Sequence, residues 1–224
     1  MDVLGRSSRS RGLWLAILAT LVAYVGAAIA LGTAPAATAS GASVAAWFRA
    51  NAAHVRWWMW FQTVWLVAFA VIAAHIRARL PGPHRDVFLI GAIALVAETA
   101  VQGWIWTGLA WHADVLQPAT ARTLLDVASY WGPVLISATV LMLAPVTVVA
   151  LRRQARLPTW LGAVTGIALI EQLVETITIF GGHGFTAPGG SMNLLLGPSL
   201  TILGLGSTAI YIALTPGPLL QASL

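Results

Sequence analysis

The sequence predicts an all-α fold: a polytopic membrane helical bundle of six transmembrane helices, with both ends in the cytoplasm. Three observations carry that expectation. Six continuous apolar stretches are each long enough to cross a bilayer, charged residues make up only 8% of the 224 residues, and the arginines are confined to segments between or beside the apolar stretches. A helix needs roughly 20 apolar residues to span about 30 Å of hydrocarbon. The stretches are 12–32, 57–76, 87–110, 130–151, 159–181 and 193–215. They are apolar throughout and do not alternate, so they read as helices and not as barrel strands.

The first stretch also invites a signal-peptide reading. Arg6, Arg9 and Arg11 precede it, and Ala34-Pro35-Ala36-Ala37 resembles a small-residue cleavage site. The apolar core of a signal peptide is about 7–15 residues long, whereas this one runs from Leu13 to Leu31. A retained first helix is therefore expected, preceded by a basic segment, 1–11, and followed by an outer loop, 33–56. The six-helix domain covers 12–215, and 216–224 forms a cytoplasmic tail.

Orientation follows from arginine asymmetry, because basic residues favour cytoplasmic loops. Arg6, Arg9, Arg11, Arg77, Arg79, Arg85, Arg152, Arg153 and Arg156 fall on one side, and only Arg49, Arg56 and Arg122 on the other. The net charge of +5 comes from twelve arginines without any lysine. Their placement reads as topology, so no nucleic-acid partner is expected. The lack of lysine removes Schiff-base chemistry. With no cysteine, disulfides and thiolate sites are excluded. Abundant Ala, Arg and Gly without Lys points to a GC-rich bacterial genome, and hence to the inner (plasma) membrane.

Turn signals fit this plan. Pro81-Gly82-Pro83 marks a tight basic-side turn, and Gly181 to Gly184 with Pro188-Gly189-Gly190 marks an irregular outer loop. Ser43–Arg56 is expected to lie as an amphipathic helix at the outer surface. Gly162 and Gly166 form a GxxxG pair, and Gly204 and Gly206 thin the sixth span, which suits close helix packing.

Three carboxyl residues sit inside spans: Glu98 in the third, Glu171 and Glu175 in the fifth. An ionisable group at membrane depth costs about 2.5–3.5 kcal/mol or more, which makes each a candidate functional residue. Counting about 1.5 Å per residue places Glu98 and Glu171 at similar depth near the midplane, with Glu175 one turn further out. The spacing of four puts Glu171 and Glu175 on one face, beside Gln172, while Gln102 extends the stripe begun by Glu98. Every arginine lies outside the apolar interior, so these carboxyls have no evident basic partner. A buried carboxyl group in that situation favours its neutral form. Three outcomes are open: a hydrogen bond joining helices, an acid or proton carrier, or a cation site.

Trp57, Trp58, Trp60, Trp65, Trp104, Trp106, Trp111 and Trp131 fall in the outer half. Trp57, Trp58, Trp111 and Trp131 fit an interfacial belt. Trp65 lies deeper and Trp104 is two residues from Gln102, so these two are candidates to line a cavity with Gln62, Gln102 and Gln172. Aromatic faces beside carboxyls suit a cationic or carbocationic guest. His54, His75, His84, His112 and His183 lie in loops or at span ends, so neither haem nor another cofactor, nor a metal site, is expected.

The segment Leu151–Leu169, reading Leu-Arg-Arg-Gln-Ala-Arg-Leu-Pro-Thr-Trp-Leu-Gly-Ala and running on into an apolar helix, resembles part of an uncharacterised bacterial family of small multi-pass membrane proteins. That family has a basic turn, then Pro, a variable residue, Trp-Leu-Gly and the next span. The resemblance implies the architecture and supplies no catalytic residue.

The expected function is an intramembrane pocket for a lipophilic small molecule. An acid-initiated isomerase or cyclase of a prenyl or terpenoid chain would use Glu98, Glu171 and Glu175 as acids, with Trp65 and Trp104 stabilising positive charge. The competing classes are a proton-coupled transporter of a hydrophobic cation and a non-catalytic accessory subunit.

Overall fold

The computed structural model describes residues 3–215 other than positions 37 and 182, without the side chains of residues 3–10 and 131–134. The expected tail 216–224 and the side chains of Arg6, Arg9 and Trp131 lie outside the described residues. Among the described residues regular structure is entirely helical. The helices are α1 (Val3–Leu31), α2 (Gly41–Arg77), α3 (Gly82–Trp111), α4 (Pro118–Ser129), α5 (Trp131–Leu151), α6 (Thr159–Glu175) and α7 (Gly197–Leu214).

Five segments are long and apolar enough to cross a membrane: Arg11–Leu31, Gly41–Arg77, Gly82–Trp111, Thr159–Phe180 and Met192–Leu214. The described part of α5, Leu135–Leu151, is a shorter apolar helix. Prolines at the first turns of α3, α4 and α7 begin those helices, because the proline ring presets φ and the first turn has no use for its missing N–H. Ser40 caps α2, its Oγ accepting from Ser43 N at 3.2 Å.

Three elements differ from the sequence expectation. The helix expected to lie on the surface at 43–56 is instead the first part of α2, continuous with the second span across a break at Asn51 (φ −116°, ψ 15°). Asn51 Nδ2 donates to Trp47 O at 2.8 Å, so the side chain supports the carbonyl at the break. The segment between the third and fourth spans contains α4, which hydropathy misses because only one of its faces is apolar. Finally, the fifth and sixth spans do not meet as regular helices. After Glu175, α6 tightens into a 3₁₀ turn, Thr176–Phe180, and α7 is preceded by a π turn, Met192–Leu196.

Packing order follows a ring. α1 packs on α2, α2 on α3, α3 on α5, α5 on α6 and α6 on α7, and α7 returns to α1 and α2. At the basic end, residues such as Leu13, Ile76, Phe88, Met142, Leu161 and Ala209 build one apolar core from all six long helices. At the other end, α4 and the first part of α2 build a second core with α3. Trp106 is its centre, with ring centroids 5.4 Å from Trp58, 5.5 Å from Phe48 and 5.9 Å from Trp47. Trp58 is thus buried in this cap and is not part of an interfacial belt, whereas Trp57 and Trp111 are exposed.

Close approach of α3 and α5 depends on Gly91, where a Cβ would lie 2.7 Å from Ala138 O and 2.8 Å from Leu141 Cβ. Gly91→Val is expected to cost about 1–3 kcal/mol through overpacking. Thermal unfolding in detergent measures this, and an unshifted transition would place α3 and α5 further apart than described.

Candidate functional site

Glu171, Gln172 and Glu175 project from the last turns of α6, and all three are at least nine-tenths buried. Gln172 is the hub. Its Nε2 donates to Glu171 Oε2 at 2.9 Å and to Glu175 Oε2 at 2.5 Å, while its Oε1 accepts from Thr139 of α5. One amide nitrogen therefore bridges two carboxyl groups and uses both of its hydrogens.

The second oxygen of Glu175, Oε1, accepts from Asn193 Nδ2. Asn193 stands in the π turn before α7, donates also to Thr178 Oγ1 at 3.2 Å, and accepts from Gly189 N at 3.3 Å. The cluster thus ties together α5, both irregular ends of the α6–α7 connection, and the loop. Gly197 lets α7 begin directly against it: a Cβ there would overlap Glu175 Oε2 and lie 2.8 Å from Gln172 Nε2.

The two carboxyls differ in their surroundings. Both Glu175 oxygens accept amide N–H groups, a donor set that matches a carboxylate. Glu171 Oε1 is buried with no hydrogen-bond partner. No arginine approaches either of them among the described hydrogen bonds and ion pairs. Two carboxyl groups sharing one nitrogen, without a counter-charge, cannot both be ionised cheaply in a low-dielectric interior. Such a pair shares a proton or takes up a cation.

The structure brings together Glu171, Gln172 and Glu175, and leaves the other candidates elsewhere. Glu98 is on α3, and α5 stands between α3 and α6. Gly91 lies against Ala138 and Met142, and Gln102 Nε2 donates to Ala128 O at 3.4 Å. In that antiparallel register Glu98 is level with the start of α5, well toward the α4 end from Thr139 and Gln172. The shared depth expected for Glu98 and Glu171 is corrected accordingly, since the height of each is set by the register of its helix on α5 and not by its count from the preceding turn. Glu98 Oε2 is buried without a partner in its own surroundings.

Gln62 and Trp65 belong to α2, whose packing partners are α1, α3, α4 and α7, with no comparable packing on α6. Trp65 stacks on Phe69, with centroids 5.2 Å apart, and packs against the basic-end core. Trp104 is 68% exposed and faces out of the bundle, so it does not line a cavity with the glutamates. Sequence reasoning missed Thr139, Thr178, Asn193 and Gly197. The one legible signal was an amide at the very start of the sixth span, behind a glycine-rich loop. No group of three or more His, Cys, Asp or Glu side chains able to hold a metal occurs among the described residues.

Comparison with protein families, curated proteins and solved structures finds no match.

Proposed function

We propose that this chain is a six-span protein of the bacterial plasma membrane, with both ends cytoplasmic, and that it is a proton-coupled transporter of a hydrophobic cation. The observation that carries this reading is the Glu171–Gln172–Glu175 bridge, placed where α6 and α7 both lose regular helical geometry. Irregular backbone at membrane depth is tolerated where it is enclosed by protein or lines a cavity, and transporters use such breaks for ion sites. In exchange, a proton leaves the carboxyl pair as the cation arrives, so the site keeps a constant charge.

Support for the membrane setting comes from the surface. Leu15, Leu18, Ile29, Ile90, Ile167 and Ile170 are all exposed, an outward apolar face that suits lipid better than water. Support for the orientation comes from the arginine bias. Reporter fusions after Arg153 are expected to report cytoplasm, and fusions after Gly189 the outside. The opposite pattern at both would invert the topology.

Transport is tested in proteoliposomes bearing a pH gradient, with ethidium and tetraphenylphosphonium as probe cations. Proton-linked flux above empty vesicles is expected. Flux no greater than in empty vesicles, for both probes, would overturn the transporter reading.

A second reading rests on the unpartnered Glu171 Oε1, which is placed to carry an acidic proton. An acid of that kind would initiate isomerisation or cyclisation of a prenyl or terpenoid chain. The displacement of Trp65 and Trp104 from the cluster takes away aromatic faces expected to stabilise positive charge, for a carbocation as for a transported cation. A change in mass of a lipid from host extract on incubation with the protein would favour this reading over transport.

A further inference from the structure

Between α1 and α2 runs a groove of about 470 Å³ that neither the transport nor the acid-chemistry reading uses. Gly12, Leu15 and Ala19 stand in one wall, and Val64, Val67 and Val71 in the other. Thr63 is the hydroxyl residue of the lining, and its Oγ1 already donates to Met59 O at 3.0 Å. The side chains around the groove therefore offer a guest apolar contact alone. Leu15 and Val67, at its lips, are 67% and 66% exposed, so the groove opens on the outside of the bundle.

The two ends of the groove differ. Toward the α4 end it stops where the helices meet closely, since a Cβ at Gly26 would overlap the Phe61 ring. Counting equally along the antiparallel helices from that contact sets Gly12 level with His75, at the basic end. The groove is open there, because nothing lies within 4 Å of a Cβ added at Gly12. Arg11 stands four residues before Leu15 and so shares its face of α1. His75 follows Val71 by the same spacing on α2. Its Nδ1 donates to Val71 O at 2.8 Å, which leaves Nε2 for another partner. Helix geometry thus places one basic or imidazole side chain a turn beyond the groove on each wall. Arg11 is exposed and meets no carboxylate among the described ion pairs.

The bland reading is a crevice filled by whichever lipid passes. A hydrocarbon tail is as apolar as leucine, so an apolar wall by itself selects nothing in a bilayer. Positive charge at this end also serves orientation. Orientation does not require Arg11 and His75 to fall on the groove's own faces, at its open end. A slot closed at one end and basic at the other has the charge order of an anionic lipid.

We propose that the α1–α2 groove seats one acyl chain of an anionic phospholipid, with the phosphate at Arg11 and His75. An arginine at a helix end rests its stem on apolar surface and carries its charge into the headgroup layer. Its guanidinium fork pairs with phosphate oxygens. Shape then retains the chain, and the headgroup supplies the selectivity. Such a site needs the membrane setting and not transport, since no residue of the carboxyl cluster lines the groove.

The test is native mass spectrometry of the full chain in detergent micelles, titrated with phosphatidylglycerol and with phosphatidylcholine of the same acyl chains. One phosphatidylglycerol is expected to be retained, about fivefold or more in preference to phosphatidylcholine, the worth of one basic residue near an anionic surface. Arg11→Gln should remove that preference. Gly12→Leu and Val67→Trp fill the slot from opposite walls and should each abolish the retained lipid. Val67→Trp changes an exposed side chain, so it carries the test if Gly12→Leu lowers stability. Gly108→Leu is the control: it is exposed on α3, nothing lies within 4 Å of its added Cβ, and it should retain the lipid like wild type. Equal retention of the two lipids by wild type, or undiminished phosphatidylglycerol on Val67→Trp, would overturn the proposal. A wild-type dimer that both filling variants dissociate would give the groove to a second copy of the chain, and would overturn it too.

Discussion

Glu171→Gln is expected to fold and melt like the wild type while losing proton-linked cation flux by about 10²–10⁴-fold, the usual worth of a positioned acid or base. The asymmetry of the carboxyl pair makes this substitution clean. Glu171 Oε2 accepts from Gln172, whereas Oε1 meets no partner. A glutamine can point its oxygen at Gln172, and its NH₂ then replaces an oxygen that was itself buried without a partner, so shape and the one hydrogen bond are kept and only the exchangeable proton is removed. Glu175→Gln behaves differently. Both Glu175 oxygens face amide donors, from Gln172 and Asn193, so any orientation of a glutamine sets an NH₂ against an N–H. A stability loss of about 1–3 kcal/mol is expected there, the cost of a buried group left unsatisfied. If the glutamates only join helices, Glu171→Gln retains full flux, and that result would end both the exchange and the acid-chemistry readings.

Gly197→Ala is expected to damage the site through a single methyl group. The added Cβ overlaps Glu175 Oε2 and crowds Gln172 Nε2, and neither atom can yield freely. Gln172 is held by Thr139 and Glu175 by Asn193, so relief requires moving the start of α7 or breaking the bridge. Overpacking of this kind costs about 1–3 kcal/mol, and a misplacement near 1 Å lowers function by about 10²-fold. Gly206→Ala is the matched control. Nothing lies within 4 Å of its added Cβ, and removing a helical glycine there should stabilise by about 0.5–1 kcal/mol. Measuring flux and thermal unfolding of the two variants side by side checks the placement. A Gly197→Ala protein that melts and transports normally would show that α7 is not seated on Glu175.

The all-helical class and the long apolar helices were legible in the sequence because their causes are local. A backbone in hydrocarbon must satisfy its own polar groups, so each apolar stretch of sufficient length becomes a helix without reference to its neighbours. The common face of Glu171, Gln172 and Glu175 was legible for the same reason: helical spacing alone aligns them. Other features depended on which helices become neighbours. Hydropathy could not show that α5 separates Glu98 from α6, that Trp104 turns outward, or that α4 and the first part of α2 enclose Trp58 and Trp106 in a second core. Nor could spacing show that Asn193, eighteen residues beyond Glu175, supplies its second hydrogen bond, or that Gly197 admits α7 to the site. Periodicity fixes what lies on one helix, while contacts between helices are set by packing volume and register. The carboxyl residues were therefore written in the sequence, and the tertiary structure alone decided which of them form a pair and what holds that pair in place.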